Sequence, residues 1–151
     1  MEVRRALASE YDAVGQLTVA GYDADGYLTM PDGTYDQFYA DWLADAADRD
    51  IHAELIVAEY AGVLLGTVTW CPFGSRLAQL ADQAHLGEFR SLAVAPEARG
   101  HGVGRALVAE CLERARSAGL TEVLICSLDE MAPAHRLYES LGFVRQPSRD
   151  W

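Results

Sequence analysis

The chain has 151 residues, enough for one domain with a core of its own and too few for two. Half of them are hydrophobic and 23% are charged, which excludes a disordered polypeptide. Twelve basic residues, all arginine, stand against 23 acidic ones; the net charge of −11 speaks against nucleic acid or an anionic membrane surface as the main partner, and is compatible with an amine-bearing partner or simply with solubility.

The predicted elements follow in chain order. Residues 2–6 read as a short strand. Ser9, Glu10 and Asp12 form a capping-box-like start to a helix over 10–20, with Val14 and Leu17 on its apolar face. Gly21 to Gly33 carries acids, glycines and Pro31 and reads as a loop. Thr34 and Gln37 have capping-box spacing, and Tyr35, Phe38, Tyr39, Trp42, Leu43 and Ala46 recur at helical intervals, which predicts an amphipathic helix with an aromatic core stripe. Glu54–Tyr60 and Val63–Trp70 are β-rich runs joined by Ala61-Gly62, a hairpin signal. Residues 71–87 read as a loop with a helical turn near Leu77 to Leu80. A strand over Glu88–Ala95 is closed by Pro96. A helix over 103–117 is stopped by Gly119, a strand runs from Thr121 to Ser127, and a helix from Pro133 to Leu141 ends at Gly142, with Phe143 and Val144 opening a last strand. Strands and helices in this order predict a single α/β domain over 1–151, a three-layer α/β/α sandwich around a mixed, mostly antiparallel sheet.

Three cysteines (Cys71, Cys111, Cys126) without a CxxC pair, and four histidines without HExxH spacing, predict neither a disulfide framework nor a metal site. The sequence does not open on a signal-peptide pattern, and no apolar run approaches 18 residues, so a cytoplasmic protein with no membrane span is expected.

The most informative segment runs from Leu92, Ala93 and Val94 through Arg99, Gly100, His101, Gly102, Val103, Gly104 and Arg105. A strand enters a glycine-rich turn that opens a helix. The amides at a helix N-terminus are unpaired and lie at the positive end of its dipole, and glycines let a large anion approach them. This predicts a phosphate or diphosphate cradle, with Arg99 and Arg105 adding charge unless Arg99 pairs with Glu97 or Glu110. The dinucleotide fingerprint GxGxxG fails, because Gly100, Gly102 and Gly104 are followed by Arg105, and the P-loop fails for want of any Gly-Lys.

Arg99, Gly102 and Gly104 in the pattern Arg-x-x-Gly-x-Gly resemble the acyl-CoA cradle of the GCN5-related N-acetyltransferase (GNAT) family. Ala134, Leu137, Tyr138, Glu139, Leu141, Gly142 and Phe143 resemble the A-x-x-L-Y-E-x-L-G-F helix of the same family, at the same order and separation. The resemblance implies a GNAT-like fold and acetyl-CoA as cosubstrate, its diphosphate on the amides of Gly100 to Gly104 and its pantetheine arm along the backbone of Leu92 and Val94. It implies transfer to a primary amine by direct attack in a ternary complex, with Tyr138 protonating the departing thiolate and Glu88 as general base. Beside these roles, Tyr138 also reads as a packing residue and Glu88 as a solvated carboxylate. The acceptor side would be built from Tyr22, Asp25, Tyr27, Trp70 and Phe73, the carboxylates at 23, 25, 32 and 88 meeting the amine; Asp23, Asp25 and Asp32 read equally as a solvated acidic loop.

Two departures from the family pattern stand out. Met131 occupies a place where many relatives carry asparagine, and the chain stops at Trp151 where the family continues into a further strand, so the C-terminal strand is expected to be short or missing. A sheet edge near Phe143 to Gln146 would then offer a homodimer contact. A non-catalytic acyl-CoA-binding or sensing module is the alternative function.

Overall fold

The computed structural model describes residues 1–125 and 132–144. Among them five strands form one sheet whose spatial order is the chain order: β1 (Glu2–Arg5), β2 (Glu54–Tyr60), β3 (Val63–Pro72), β4 (Leu86–Val94) and β5 (Glu122–Ile125). The first four pair antiparallel, and β5 runs parallel to β4. Ala61 and Gly62 join β2 to β3 with φ of 51° and 82°, the pair of left-handed residues that a two-residue hairpin turn requires. Leu55, Ile56, Val57 and Ala58 of β2 are all fully buried. An unbroken apolar run of this kind belongs to a strand covered on both faces.

Helices supply those covers. Val14 of α1 (Tyr11–Ala24) and Ala46 of α3 (Ala46–His52) pack on Leu55 and Val57; α2 (Gln37–Ala44) lies against α1. Val103, Leu107, Val108 and Cys111 of α4 (Val103–Ser117) pack on Ile56, Val68 and Trp70 from the opposite side, joined by Leu137 and Tyr138 of α5 (Ala132–Ser140). The expected three layers and mixed sheet are therefore present. α4 comes close to the sheet at Gly66, where a Cβ would stand 2.8 Å from Val103 Cγ1.

The structure moves several boundaries. α1 continues through Gly21 to Ala24, into the expected loop; a single helical turn, Ala8–Glu10, precedes it and is held by Glu10 Oε1 accepting from the Leu7 amide at 2.8 Å rather than by Ser9, and no side chain caps α1 itself. The single helix expected near 35–46 is two. Asp36, not Thr34, caps α2 by accepting from the Tyr39 amide, and Asp45 ends α2 and caps α3 by accepting from the Asp48 amide. The aromatic stripe is only partly core: Leu43 is fully buried, whereas Phe38 is 88% exposed. β3 extends to Pro72 and β4 begins at Leu86, shortening the loop between them. Phe143 and Val144 are not in a strand. Cys126, Ser127, Met131 and the segment from 145 to Trp151, with the expected sheet edge at Gln146, lie outside the described residues.

A helix cap is a local interaction, so the α2–α3 break has a direct check. Asp45→Ala should cost about 1 kcal/mol of unfolding free energy, read from urea midpoints, because the Asp48 amide loses its acceptor. A change below a few tenths would mean that the break is held by packing alone.

Candidate functional site

β4 carries the irregularity on which the site is built. Arg90 pairs with Thr69 and Ala93 with Thr67, so two residues of β4, Ser91 and Leu92, oppose Val68 alone. This is a β-bulge, and Ser91 takes φ of 55°, a conformation rare for a residue with a side chain. The pairing with β5 runs only from Leu86–Glu122 to Phe89–Ile125. Past that point Arg90 to Val94 are paired to β3 alone among the described residues, which leaves the other backbone edge of this half-strand open.

The open half of β4 leads through the one-turn helix Pro96–Ala98 into the glycine turn. Gly100 and Gly102 have φ of 82° and 78°, and a Cβ at either would meet nothing within 4 Å, so the turn faces open space. Gly102 is the N-cap of α4 and no side chain caps it, in contrast to the aspartates of α2 and α3. The first-turn amides of α4 thus keep the unsatisfied donors to which an anion binds. Arg99 reaches back to α1, donating to the Gly21 carbonyl at 2.9 Å and forming an ion pair with Asp25. It pairs with neither Glu97 nor Glu110. Both partners of the Arg99–Asp25 pair are about a third exposed, and such pairs contribute at most about 1 kcal/mol, so an anionic ligand competes for Arg99 at small cost. Arg105 donates to Ser140 Oγ of α5 at 2.8 Å.

These parts open on one cleft of about 830 Å³. Its walls include the β4 segment Phe89–Val94, the cradle from Arg99 to Arg105 apart from His101, and Tyr22, Asp25, Tyr27 and Tyr138. Tyr138 stands edge-on to Phe89, with ring centroids 5.8 Å apart. Burial pushes its hydroxyl well above the ordinary tyrosine range, so it stays protonated and able to donate at any physiological pH.

Four expected site residues lie off the cleft wall. His101 is exposed and is not part of the wall. Trp70 faces α4, along with Gly66 and Val68, and is 3% exposed; a Cβ at Gly87 would sit 2.5 Å from its Cη2, so the indole fills the space that this glycine leaves. Phe73 is half exposed on the loop after β3. Glu88 is 1% exposed, and its Oε1 accepts from the backbone amides of Gln79, Leu80 and Ala81 at 2.6, 2.6 and 3.0 Å. It is not a solvated carboxylate, and its Oε1 anchors the 79–81 segment. Asp25 reaches the cleft as the partner of Arg99. Asp23 and Asp32 are exposed residues outside the wall.

The sequence reading missed Phe38, Tyr39 and Trp42 of α2, Leu77 and Gln79 of the loop between β3 and β4, and Arg90 of β4, all of which line the cleft. Their signal was the aromatic stripe, which periodicity alone assigned to the core. Cys71 is buried, which pushes its thiol up to about 12, so it is no nucleophile at neutral pH. Among the described residues no cluster of histidine, cysteine and acid could hold a metal, and no helix is long and apolar enough to cross a membrane.

Comparison with known proteins returns one consistent likeness. The model of the acetyltransferase (GNAT) family matches residues 22–143. Over 93 residues the chain is 42% identical to a mycothiol acetyltransferase of Thermobispora bispora, a match covering 62% of this chain and 30% of that protein. An uncharacterized N-acetyltransferase of Schizosaccharomyces pombe is 34% identical over 89 residues, 59% of this chain and 50% of that one. The chain thus spans half or less of the length of these curated relatives. A putative acetyltransferase from Agrobacterium tumefaciens superposes with a TM-score of 0.68 at 22% identity, covering 100% of this chain and 98% of that one. A GNAT family acetyltransferase from Brucella melitensis, solved in complex with acetyl-CoA, superposes at 0.66 and 21% identity over 95% and 82%.

Proposed function

Because the chain belongs to the GNAT acetyltransferase family, we propose that it moves an acetyl group from acetyl-CoA to a primary amine by direct attack while both substrates are bound. The observation that carries this reading is the convergence on one cleft of an uncapped α4 start, the open half of β4, and the protonated Tyr138. Acetyl-CoA supplies the activated acyl thioester. The names of the mycothiol acetyltransferases and of the neighbour in complex with acetyl-CoA agree with that cosubstrate.

The amides from Gly100 to Gly104 hold the diphosphate, and Arg99 and Arg105 add charge around it. The backbone of Leu92 and Val94 offers the free edge of β4 to an extended amide-bearing arm, as an edge strand takes an added one. A backbone amide of β4 beside the bulge polarises the acyl carbonyl. The Tyr138 hydroxyl donates a proton to the leaving sulfur. Glu88 is the anchor of the acceptor-side loop; the ammonium gives up its proton to water at the open side of the cleft, so the rate follows the fraction of unprotonated amine.

Release of free thiol from acetyl-CoA over a panel of amines tests the reading. A thiolate is a good leaving group, so Tyr138→Phe should lower kcat about tenfold without abolishing turnover, less than the roughly 10²–10⁴-fold usual for loss of a general acid. Wild-type kcat in the variant at every pH would remove Tyr138 from the mechanism. Thermal stabilisation by CoA with no thiol release from any amine would favour the acyl-CoA-binding module instead.

A further inference from the structure

The protein is acidic, yet among the described residues the cleft wall is not: it carries Arg90, Arg99 and Arg105 against one carboxylate, Asp25, which is already paired with Arg99. Arg99 and Arg105 belong to the glycine cradle. Arg90 does not. It projects from β4 on the far side of the bulge, between α2 and the 77–79 loop, and serves no diphosphate at that place.

The surroundings of Arg90 are those of a cation held, among the described residues, without an ion pair. Its Nη1 donates to the Leu77 carbonyl and its Nη2 to Gln79 Oε1, each at 3.1 Å, both neutral oxygens. Its guanidinium carbon lies 6.0 Å from the centroid of the Trp42 ring, which also has the buried Arg49 at 5.7 Å and stacks on Tyr39. Among the described residues it takes part in no ion pair. Glu88, two residues earlier on the strand, has Oε1 committed to three backbone amides. A guanidinium fixed by neutral acceptors, desolvated on one face by an indole, and open on a cleft is arranged to take a carboxylate in a forked pair. On the wall of the same cleft, Tyr27 and the largely uncovered Phe38 offer flat apolar surface.

We propose that the acceptor is a primary amine carrying a carboxylate on an aromatic or apolar body, and that Arg90 selects it by binding that carboxylate. The assignment rests on the cleft being the acceptor site of the proposed transfer, and it reverses the expectation that acidic residues recognise the acceptor by its positive charge.

The test compares amines that differ only in the carboxylate, tyrosine with tyramine and phenylalanine with phenethylamine. Their affinities for the CoA-saturated protein are measured by calorimetry, and thiol release from acetyl-CoA is followed in parallel. The wild type should bind the carboxylate member of each pair at least tenfold tighter. In Arg90→Gln the gap should close because that member weakens, while the stabilisation by CoA alone is unchanged; Arg90→Lys should retain part of the gap. Equal affinities in the wild type, a gap that survives Arg90→Gln, or no binding of either member would each overturn the proposal. Arg90-dependent binding without thiol release would sink the acetyl-transfer reading and leave the anion site standing.

Discussion

Gly102→Glu should abolish the stabilisation of the protein by CoA, whereas Gly102→Asn should keep most of it. Gly102 has φ of 78°, so any side chain there carries backbone strain of roughly 1–2 kcal/mol, least for asparagine. Crowding adds nothing, because a Cβ at this position meets no atom within 4 Å. The two variants therefore both carry strain, somewhat less for asparagine, and differ chiefly in charge. A glutamate at the start of α4 places its negative charge at the positive end of the helix dipole, which is favourable for the helix and puts in the turn the charge that the diphosphate should bring. Folding survives and binding does not. A loss of at least 100-fold in CoA affinity, about 2.8 kcal/mol, is expected by calorimetry. Retained affinity in Gly102→Glu would remove the diphosphate from this turn and send the search for it elsewhere in the cleft.

The parts of the molecule that local chemistry determines were legible. The Ala61-Gly62 turn, the helix over 103–117 and the glycine turn that opens it all rest on short-range signals, and each is where the residues put it. What escaped depends on neighbours distant in sequence. Gly21 reads as the start of a loop, but it lies inside α1 because the bulged strand passes close by: a Cβ there would stand 3.2 Å from the Val94 carbonyl and 3.3 Å from Ala93 Cβ. The glycine marks an approach and not a turn. The periodicity from Tyr35 to Ala46 runs across the α2–α3 break, so only the cap made by Asp45 reveals it. Trp70 looked like an acceptor residue for its place at the end of a strand, but alternation along β3 turns it toward α4. Phe38, Tyr39 and Trp42 looked like core and instead wall a cleft, since a stripe of aromatics reads the same whether a sheet or a ligand covers it. The charge count misled in the same manner: a net −11 says nothing of where the arginines gather.

Glu88→Ala should lower the stability of the protein by about 2–3 kcal/mol, the cost of leaving buried amide donors without their acceptor after part of the segment relaxes into water. For a chain of this size that is a fall in Tm of roughly 5–10 °C. The single Oε1 that accepts from residues 79, 80 and 81 fixes the same loop whose Leu77 carbonyl and Gln79 side chain hold Arg90. Loss of Glu88 should therefore raise KM for the acceptor and leave the affinity for CoA as it was, since the cradle lies on the other side of the bulge. Glu88→Gln separates anchoring from proton abstraction. The amide oxygen still accepts from the loop, so most of the stability and of kcat should return, whereas a residue acting as general base would lose kcat by 10²-fold or more and with it the low-pH limb of the rate profile. A Glu88→Gln protein with wild-type Tm and a collapsed kcat would restore the base role and refute the anchor. A protein that recovers both would place the proton's exit in the water of the open cleft, and would make the buried carboxylate the means by which β4 positions the loop that shapes the acceptor site.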